Sequence, residues 1–309
     1  MENRSLARPL ASHLPPSQSP AIPWRLWLER LQIIVMLAPA LAVIGGLFMG
    51  GLGLALLQSF GYLPLIGRNE PSLAAYHHIF GQEAFYRSLW LTCWIALTST
   101  ALSTLLAILC ALALRRIARG QRWLNFLFQL NIPIPHLVGA IGILFLFSQS
   151  GWLARLAYLA QLIDEPADFP ALVFDPYAFG IILEYVWKET CFIGVILLAV
   201  LQSLGEDYED VARTLGANRW QRFRYVLLPL LRRGILSTSV LVFAFSFGAF
   251  EVPLLLGQRY PSTLPVLAYR YYTDADLNAR AEAMALNVII AVSITVLVYI
   301  YLKLAGRET

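Results

Sequence analysis

A chain of 309 residues that is 58% hydrophobic and only 14% charged has too little polar surface for a water-soluble globule of its size. Its formal net charge of +4 is carried almost entirely by arginine, without the basic stripe on a polar scaffold that a nucleic-acid-binding protein shows. The composition therefore predicts an integral membrane protein embedded in a lipid bilayer and excludes nucleic acid as a partner.

Residues 1–30 are polar and contain five prolines, which predicts a flexible tail outside the folded domain. The first apolar run begins near Leu31 and is longer than the apolar core of a signal peptide, so we expect it to be a retained helix. The chain thus divides into a tail, 1–30, and a transmembrane domain, 31–309.

Six apolar runs are long enough to cross about 30 Å of hydrocarbon at about 1.5 Å per residue. They cover residues 31–57, 89–114, 124–148, 181–203, 235–257 and 284–304. The third run carries Pro133, Pro135 and His136 near its start, and membrane helices accept proline where neighbours satisfy the freed carbonyls. The pattern predicts an all-α polytopic membrane protein with about six transmembrane helices.

Arginine is concentrated in the tail, in the segments after the second and fourth runs, and at the C-terminal end. Because positively charged loops stay on the cytoplasmic side, we expect both termini to be cytoplasmic. The opposite loops, 149–180 and 258–283, are rich in aspartate and tyrosine. They are interpreted as solvated loops with interfacial aromatics, as a docking face for an external partner, or as an electrostatic funnel for cations.

Charged residues inside the apolar runs are the candidates for lining a pathway, because such residues are costly unless they face protein or water. Glu251 lies in the fifth run, where the alternatives are pathway lining, a structural hydrogen bond or an end-of-helix position. Glu184 and Lys188 lie four residues apart near the outer end of the fourth run, beside Glu189. This spacing predicts an ion pair that is either structural or part of a substrate site.

We find no catalytic, cofactor or metal arrangement in the sequence. The cysteines Cys93, Cys110 and Cys191 lie in apolar segments, where small buried hydrophobes are the first interpretation and a disulfide or metal site the alternative. His77 and His78 are adjacent and would point about 100° apart on a helix. Neither lysine follows a glycine, so a P-loop is excluded, and any ATP hydrolysis must come from another polypeptide.

The segment from Glu206 to Pro229 predicts two helices joined by a glycine elbow. A first apolar face at helical spacing is formed by Tyr208, Val211, Ala212 and Leu215. Gly216 is expected to end this helix with φ > 0, and Pro229 to break or kink the second helix, whose apolar face has Trp220, Phe223 and Leu227. Such an elbow is interpreted either as a segment whose apolar face inserts into a groove on a partner protein, or as an amphipathic helix that lies on lipid headgroups.

This segment resembles the Glu-Ala-Ala loop of permeases in binding-protein-dependent ABC importers, which reads Glu-Ala-Ala, three residues, Gly, nine residues and Ile-x-Leu-Pro. The positions that match are Asp210, Val211, Ala212, Gly216, Val226, Leu228 and Pro229. Asp210 replaces the glutamate, with Glu209 adjacent, and Val211 replaces an alanine. The resemblance implies an ATPase-coupling loop at 205–229 that uses Glu209, Asp210, Ala212, Leu215, Gly216, Ala217, Leu228 and Pro229.

Trp187-Lys188 and Leu201-Gln202, at the two ends of the fourth run, are similar to the same permeases, and the resemblance covers most of residues 85–304. It implies the type I ABC importer permease fold in a prokaryotic inner membrane. It also implies ABC ATPase subunits that hold ATP and magnesium, a second permease subunit of similar fold, and a periplasmic or extracellular solute-binding protein.

Residues 247–257 and 263–270 most resemble the branch of this family that imports polyamines and similar small organic solutes. Importers of iron, thiamine and sulfate are close relatives and stay as alternatives, as does the choice between identical and different permease subunits. An ATP-independent secondary transporter or channel is the alternative of another class, and a membrane scaffold without transport is a third.

Overall fold

The computed structural model describes residues 23–115, 121–204 and 207–306. Within these ranges the chain forms helices and no strand, apart from an isolated bridge between Leu63 and Arg68, and the predicted all-α class is confirmed. Residues 1–22 of the predicted tail, residues 205–206 of the predicted loop and residues 116–120 lie outside the described ranges. The first helix begins at Pro23, ahead of the predicted boundary at residue 31.

The helices of the described ranges are α1 (Pro23–Ser59), α2 (Ala74–Gly81), α3 (Glu83–Arg115), α4 (Gln121–Gln129), α5 (His136–Phe147), α6 (Trp152–Leu159), α7 (Phe179–Leu204), α8 (Asp207–Thr214), α9 (Arg219–Arg222), α10 (Leu228–Gly248), α11 (Glu251–Leu256), α12 (Leu264–Tyr272) and α13 (Ala279–Gly306). Short 3-10 turns cover Pro64–Ile66 and Pro166–Asp168. A π-helical turn at Phe223–Leu227 connects α9 to α10.

Five helical segments of the described chain are long and apolar enough to cross a membrane, namely Arg30–Ser59, Glu83–Arg115, His136–Leu159, Arg219–Gly248 and Ala279–Lys303. Helix α7 has 26 residues and is also long enough, but it carries Glu184, Lys188 and Glu189 within its buried surface. These six helical regions agree with the expected count of about six transmembrane helices.

The chain divides into two compact units, residues 1–54 and residues 55–309. The described part of the first unit belongs to the apolar helix α1, which contains Pro39. In the second unit α3 packs along α7 and α10, and α12 packs against α13. Small residues are common among the buried positions of α3, including Ala96, Ser99, Ser103, Ala107 and Ala111. Small side chains let neighbouring membrane helices approach closely, which accounts for the central position of α3.

Several buried hydroxyl groups of α3 bond to carbonyls of the helix itself. Ser99 Oγ donates to the carbonyl of Ile95 at 2.6 Å, and Ser103 Oγ donates to the carbonyl of Ser99 at 2.6 Å. Because lipid offers no hydrogen-bond partner, this bonding to the preceding turn lets polar residues occupy a membrane helix.

Proline divides the third predicted span, 124–148, which is wrong as one continuous helix. A proline has no amide proton, and in a helix its ring clashes with the carbonyl four residues earlier. Helix α4 ends at Gln129, four residues before Pro133, and α5 begins directly after Pro135. The residues between the two helices form turns, and we call this segment, 130–135, the helix break.

The fifth predicted span, 235–257, is interrupted for the same reason. Pro253 would clash with the carbonyl of Ala249 in a continuous helix, and Ala249 is extended, with ψ 137. Helix α10 therefore ends at Gly248, and the short α11 follows. The helical stretch that contains α10 begins earlier than predicted, at Arg219.

Candidate functional site

The first candidate region is the elbow segment, residues 207–229, where α8 ends in a glycine cap. Gly216 has φ +81, as the sequence predicts. The amide of Gly216 donates to the carbonyl of Arg213 at 3.0 Å, and the amide of Ala217 donates to the carbonyl of Ala212 at 3.0 Å. These two bonds form a Schellman motif, which satisfies the last carbonyls of α8 and turns the chain sharply.

The second arm of the elbow begins with a reciprocal cap that our sequence analysis did not identify. Asn218 Oδ1 accepts a hydrogen bond from the amide of Gln221 at 2.8 Å, and Gln221 Oε1 accepts one from the amide of Asn218 at 2.8 Å. This is a capping box, and its signal in the sequence is an asparagine followed three residues later by glutamine. Two caps, one on each side of Ala217, therefore fix the angle between the arms.

Pro229 does not break the second arm, so the predicted break is wrong, and the alternative of a kink stays a prediction. The helix runs on from Arg219 to Gly248 because the turn before the proline widens into a π-helix. The amide of Leu228 donates to the carbonyl of Phe223, five residues back. A wider turn gives the proline ring room, which joins the elbow to a membrane helix without interruption.

The apolar face of α8 is open in this subunit. Leu215 is 82% exposed and Val211 is 61% exposed, whereas Ala212 is half-buried. The polar face is held in place, since Glu209 lies 3.4 Å from Arg115 at the end of α3, and Asp210 lies 3.3 Å from Arg213. The arrangement leaves the apolar side chains of the elbow available to a partner.

The predicted apolar face of the second arm is divided between core and surface. Leu227 is buried and Phe223 packs beside it in the core formed by α3, α7 and α10. Trp220 is exposed, and its ring centroid lies 5.6 Å from that of Phe223. The second arm therefore anchors the elbow to the membrane helices, while the first arm projects from them.

The second candidate region is a cluster of charged side chains beside the helix break. His136 is the first residue of α5, and its Nδ1 lies 3.1 Å from Glu184 Oε1. Its Nε2 lies 3.7 Å from Glu189 Oε1 on the opposite side of the ring. Glu184 is fully buried, and it fits there because Gly139 has no side chain: a Cβ on Gly139 would lie 3.0 Å from Glu184 Oε1.

The predicted ion pair between Glu184 and Lys188 does not form among the described residues. Lys188 Nζ donates instead to the carbonyl of Asn131 at 2.7 Å and to the carbonyl of Ile134. Both carbonyls belong to the helix break. Pro135 offers no amide to the carbonyl of Asn131, which accepts one long bond from the amide of Ile134 at 3.2 Å, and the amide of Val138 donates to Pro135 rather than to Ile134. The lysine therefore donates to backbone carbonyls of the helix break, and the carboxylate of Glu184 contacts His136 instead.

A cleft of about 470 Å³ lies against this cluster. It is lined by Ile132, Pro133, Ile134, Pro135, His136, Lys188, Glu189, Phe192, Leu241, Val242 and Phe245. Leu241 and Phe245 are exposed, so the cleft opens on the surface of the subunit. A charged group inside a membrane faces protein or water rather than lipid. This physical requirement makes the mouth of the cleft a surface for another subunit or an aqueous pathway.

Glu251 lies apart from this cleft lining. It is the first residue of α11, two residues after the extended Ala249, and its side chain is exposed in the subunit. Glu251 therefore stands at the start of a short helix rather than in the middle of a span, which matches the end-of-helix alternative that the sequence left open. Its role as a pathway residue stays a prediction.

Three residues of the cluster were not identified as site residues from the sequence, namely Asn131, His136 and Phe245. Asn131 Nδ2 donates to the carbonyl of Trp187 at 2.8 Å, and the ring of His136 lies 4.7 Å from that of Phe245. The available signal was a polar residue on each side of a Pro-x-Pro pattern within an apolar run. Phe245 gives no signal of its own, because aromatic residues are common in membrane helices.

Comparison with known proteins gives a consistent result. The family model described as "binding-protein-dependent transport system inner membrane component" matches residues 103–308. The chain is 32% identical over 191 residues to the thiamine transport system permease protein of Salmonella typhimurium, covering 61% of this chain and 34% of that protein. It thus spans about a third of the length of that relative.

Another relative matches over more of its length. The chain is 30% identical over 257 residues to the sulfate transport system permease protein of Synechocystis, covering 80% of each chain. Among solved structures, a chain of the bacterial alginate ABC transporter in complex with an alginate-bound periplasmic protein superposes with a TM-score of 0.76 at 22% identity. That match covers 93% of this chain and 98% of the other, and it shows a shared fold.

Proposed function

Because this chain belongs to the family of binding-protein-dependent transport system inner membrane components, we propose that it is the permease subunit of an ATP-driven importer. In this proposal the chain forms half of a solute pathway and couples to a separate ABC ATPase subunit. The observation that carries the proposal is the rigid elbow with an exposed apolar face, at the spacing of the family's coupling loop.

The elbow has the properties that a mechanical coupling element requires. Its first arm offers Val211 and Leu215 to a groove on the ATPase, as amphipathic helices do in other helix-in-groove complexes. Its second arm continues without a break into α10, which lines the charged cleft through Leu241 and Phe245. A displacement of the elbow by the ATPase would therefore be transmitted directly to the cleft.

A second permease subunit is proposed to cover the mouth of the cleft. The charged cluster and the exposed aromatic rim around it are unsuited to lipid, and a subunit of similar fold would close the pathway. A solute-binding protein would deliver the solute on the side opposite the elbow. With the elbow facing the ATPase, both termini and the arginine-rich segments are cytoplasmic, in a multi-pass inner membrane protein.

For the solute we propose a polyamine or a similar small organic molecule, with iron, thiamine or sulfate as alternatives. An ATP-independent transporter is a second class that the charged cluster itself would suit, because such proteins bind coupling ions near the membrane centre. The elbow distinguishes an ATP-driven importer from an ATP-independent transporter, since the latter does not require a segment that binds an ATPase.

Co-purification tests this proposal. Leu215→Ala removes a largely exposed side chain whose burial in a groove is worth about 1.5–3 kcal/mol, so it should weaken ATPase attachment about tenfold or more. The measurement is the amount of ATPase subunit retained after detergent purification, alongside ATP-dependent solute uptake. Leu159→Ala, at another exposed leucine on α6, is the matched control and should retain the ATPase. Full retention by Leu215→Ala would contradict the coupling role.

A further inference from the structure

The cleft beside the helix break contains a buried carboxylate with almost no partner. The side chain of Glu189 is 8% exposed. Across residues 23–115, 121–204 and 207–306, its one polar contact is the 3.7 Å approach to His136 Nε2, which is too long for a hydrogen bond. Buried carboxylates are normally paired or hydrogen-bonded, so this group lacks a donor.

His136 does not make that hydrogen bond, because its Nε2 stays 3.7 Å from the carboxylate. Glu184 is a pure acceptor, so the nearby Nδ1 of His136 carries the proton that the 3.1 Å contact requires. His136 Nε2 faces Glu189 from 3.7 Å, so the carboxylate has room for a closer donor from the cleft.

Lys188 does not satisfy Glu189 either. Its ammonium donates to the carbonyls of Asn131 and Ile134 in the helix break, and its role there is to replace missing backbone donors. The cleft wall thus carries the carboxylate of Glu189 beside a lysine whose ammonium is already engaged by backbone carbonyls, and this arrangement favours the entry of a positive charge.

The rest of the lining suits an organic cation. Phe192 and Phe245 stand on the cleft wall, and aromatic faces attract ammonium groups while their area packs against methylene groups. The volume of about 470 Å³ is in the range of small-molecule sites. A divalent oxyanion would meet the Glu189 carboxylate at this wall, where the ammonium of Lys188 is already engaged by backbone carbonyls.

We propose that this cleft is the solute site of the permease and that it binds a small organic cation, whose ammonium group contacts the Glu189 carboxylate beside His136. The inference rests on the proposed importer function and adds the chemical class of the solute. Glu189 and His136 are the binding residues, Phe192 and Phe245 cover the apolar part of the solute, and Lys188 and Glu184 are positioning residues.

Uptake measurements on the complete transport system test the charge preference. ATP-dependent uptake of labelled spermidine, thiamine, sulfate, molybdate and maltose is compared in cells that lack other routes for these probes. The wild type should import one of the two cations. Glu189→Gln keeps the shape and removes the charge, and it should lower that uptake about tenfold or more, while Glu189→Asp retains part of it. Glu83→Gln, at an exposed carboxylate, should leave uptake unchanged.

A second measurement reports on the cleft independently of the binding protein. Spermidine or thiamine should raise the thermal unfolding midpoint of the purified wild-type permease, since a ligand of the folded state stabilises it, and should not raise that of Glu189→Gln. Uptake confined to sulfate, molybdate or maltose would overturn the inference, as would an equal response of wild type and Glu189→Gln. So would a wild type whose midpoint neither cation shifts. Loss of ATPase co-purification in the wild type would instead count against the importer proposal itself.

Discussion

At the scale of single residues, the backbone conformation of Gly216 sets the angle between the two arms of the proposed coupling loop. Its φ of +81 lies in the left-handed region, and a Cβ built there would have no heavy atom within 4 Å. A side chain at this position would therefore be strained by the positive φ, whereas neighbouring atoms would not crowd it. The surrounding caps, from Gly216 to Gln221, would transmit any change of φ into the angle between the two arms.

Substitutions at Gly216 should rank by their tolerance of positive φ. Asparagine tolerates this region, alanine costs about 1–2 kcal/mol there, and a branched side chain costs more. We expect ATPase retention and solute uptake to fall in the order Gly216→Asn, Gly216→Ala, Gly216→Val, with membrane insertion unchanged in all three. If Gly216→Val kept full ATPase binding and full uptake, the elbow would not be the coupling element.

At the scale of secondary-structure elements, the helix break is the feature that builds the cleft. Two prolines remove backbone donors between α4 and α5, and α7 contributes Lys188 to the freed carbonyls. The same helix places Glu184 against His136, at the first residue of α5. One helix therefore both stabilises the irregular segment and supplies the charges that face it, which is the arrangement expected where irregular backbone lines a cavity.

Removing the lysine should destabilise this break. In Lys188→Met two buried carbonyls lose a charged donor, at about 1.5–3 kcal/mol for each bond. The thermal unfolding midpoint of the purified permease in detergent should fall by several degrees. Lys303→Met removes the other lysine, which is exposed at the end of α13, and serves as the control with an unchanged midpoint. Equal midpoints for the two variants would show that the lysine does not hold the break.

At the scale of the whole molecule, the proposed orientation makes the elbow and the segment between α12 and α13 face opposite sides of the membrane. Arginine in the segments beside the elbow is the basis for placing it in the cytoplasm. Thr214, at the end of α8, and Thr273, after α12, are both exposed and can report on the two sides.

Thiol labelling measures this orientation. In a background with the three native cysteines replaced by serine, a membrane-impermeant maleimide should label Thr273→Cys in intact cells. Thr214→Cys should react only after the membrane is permeabilised. Labelling of Thr214→Cys in intact cells, with Thr273→Cys protected, would reverse the topology and place the elbow where no ATPase can reach it.

Much of this protein follows from its sequence by local rules. Apolar runs longer than the hydrocarbon core require helices, because lipid leaves no other way to satisfy the backbone. The elbow is equally local, since a glycine cap, acidic first turn and periodic apolar residues lie within one short segment. For these reasons the all-α membrane class, the approximate span count and the positive φ of Gly216 could be predicted without tertiary information.

Tertiary structure decided what the charged residues do. The spacing of Glu184 and Lys188 on one helix predicts a pair, yet each finds a better partner on the facing segment, a histidine for the one and backbone carbonyls for the other. The spacing of residues along one helix carries no information about backbone carbonyls that lack a donor in another segment of the chain. Glu189 and the cleft before it come together only because α4, α5, α7 and α10 meet around that break, a contact between parts of the chain far apart in sequence.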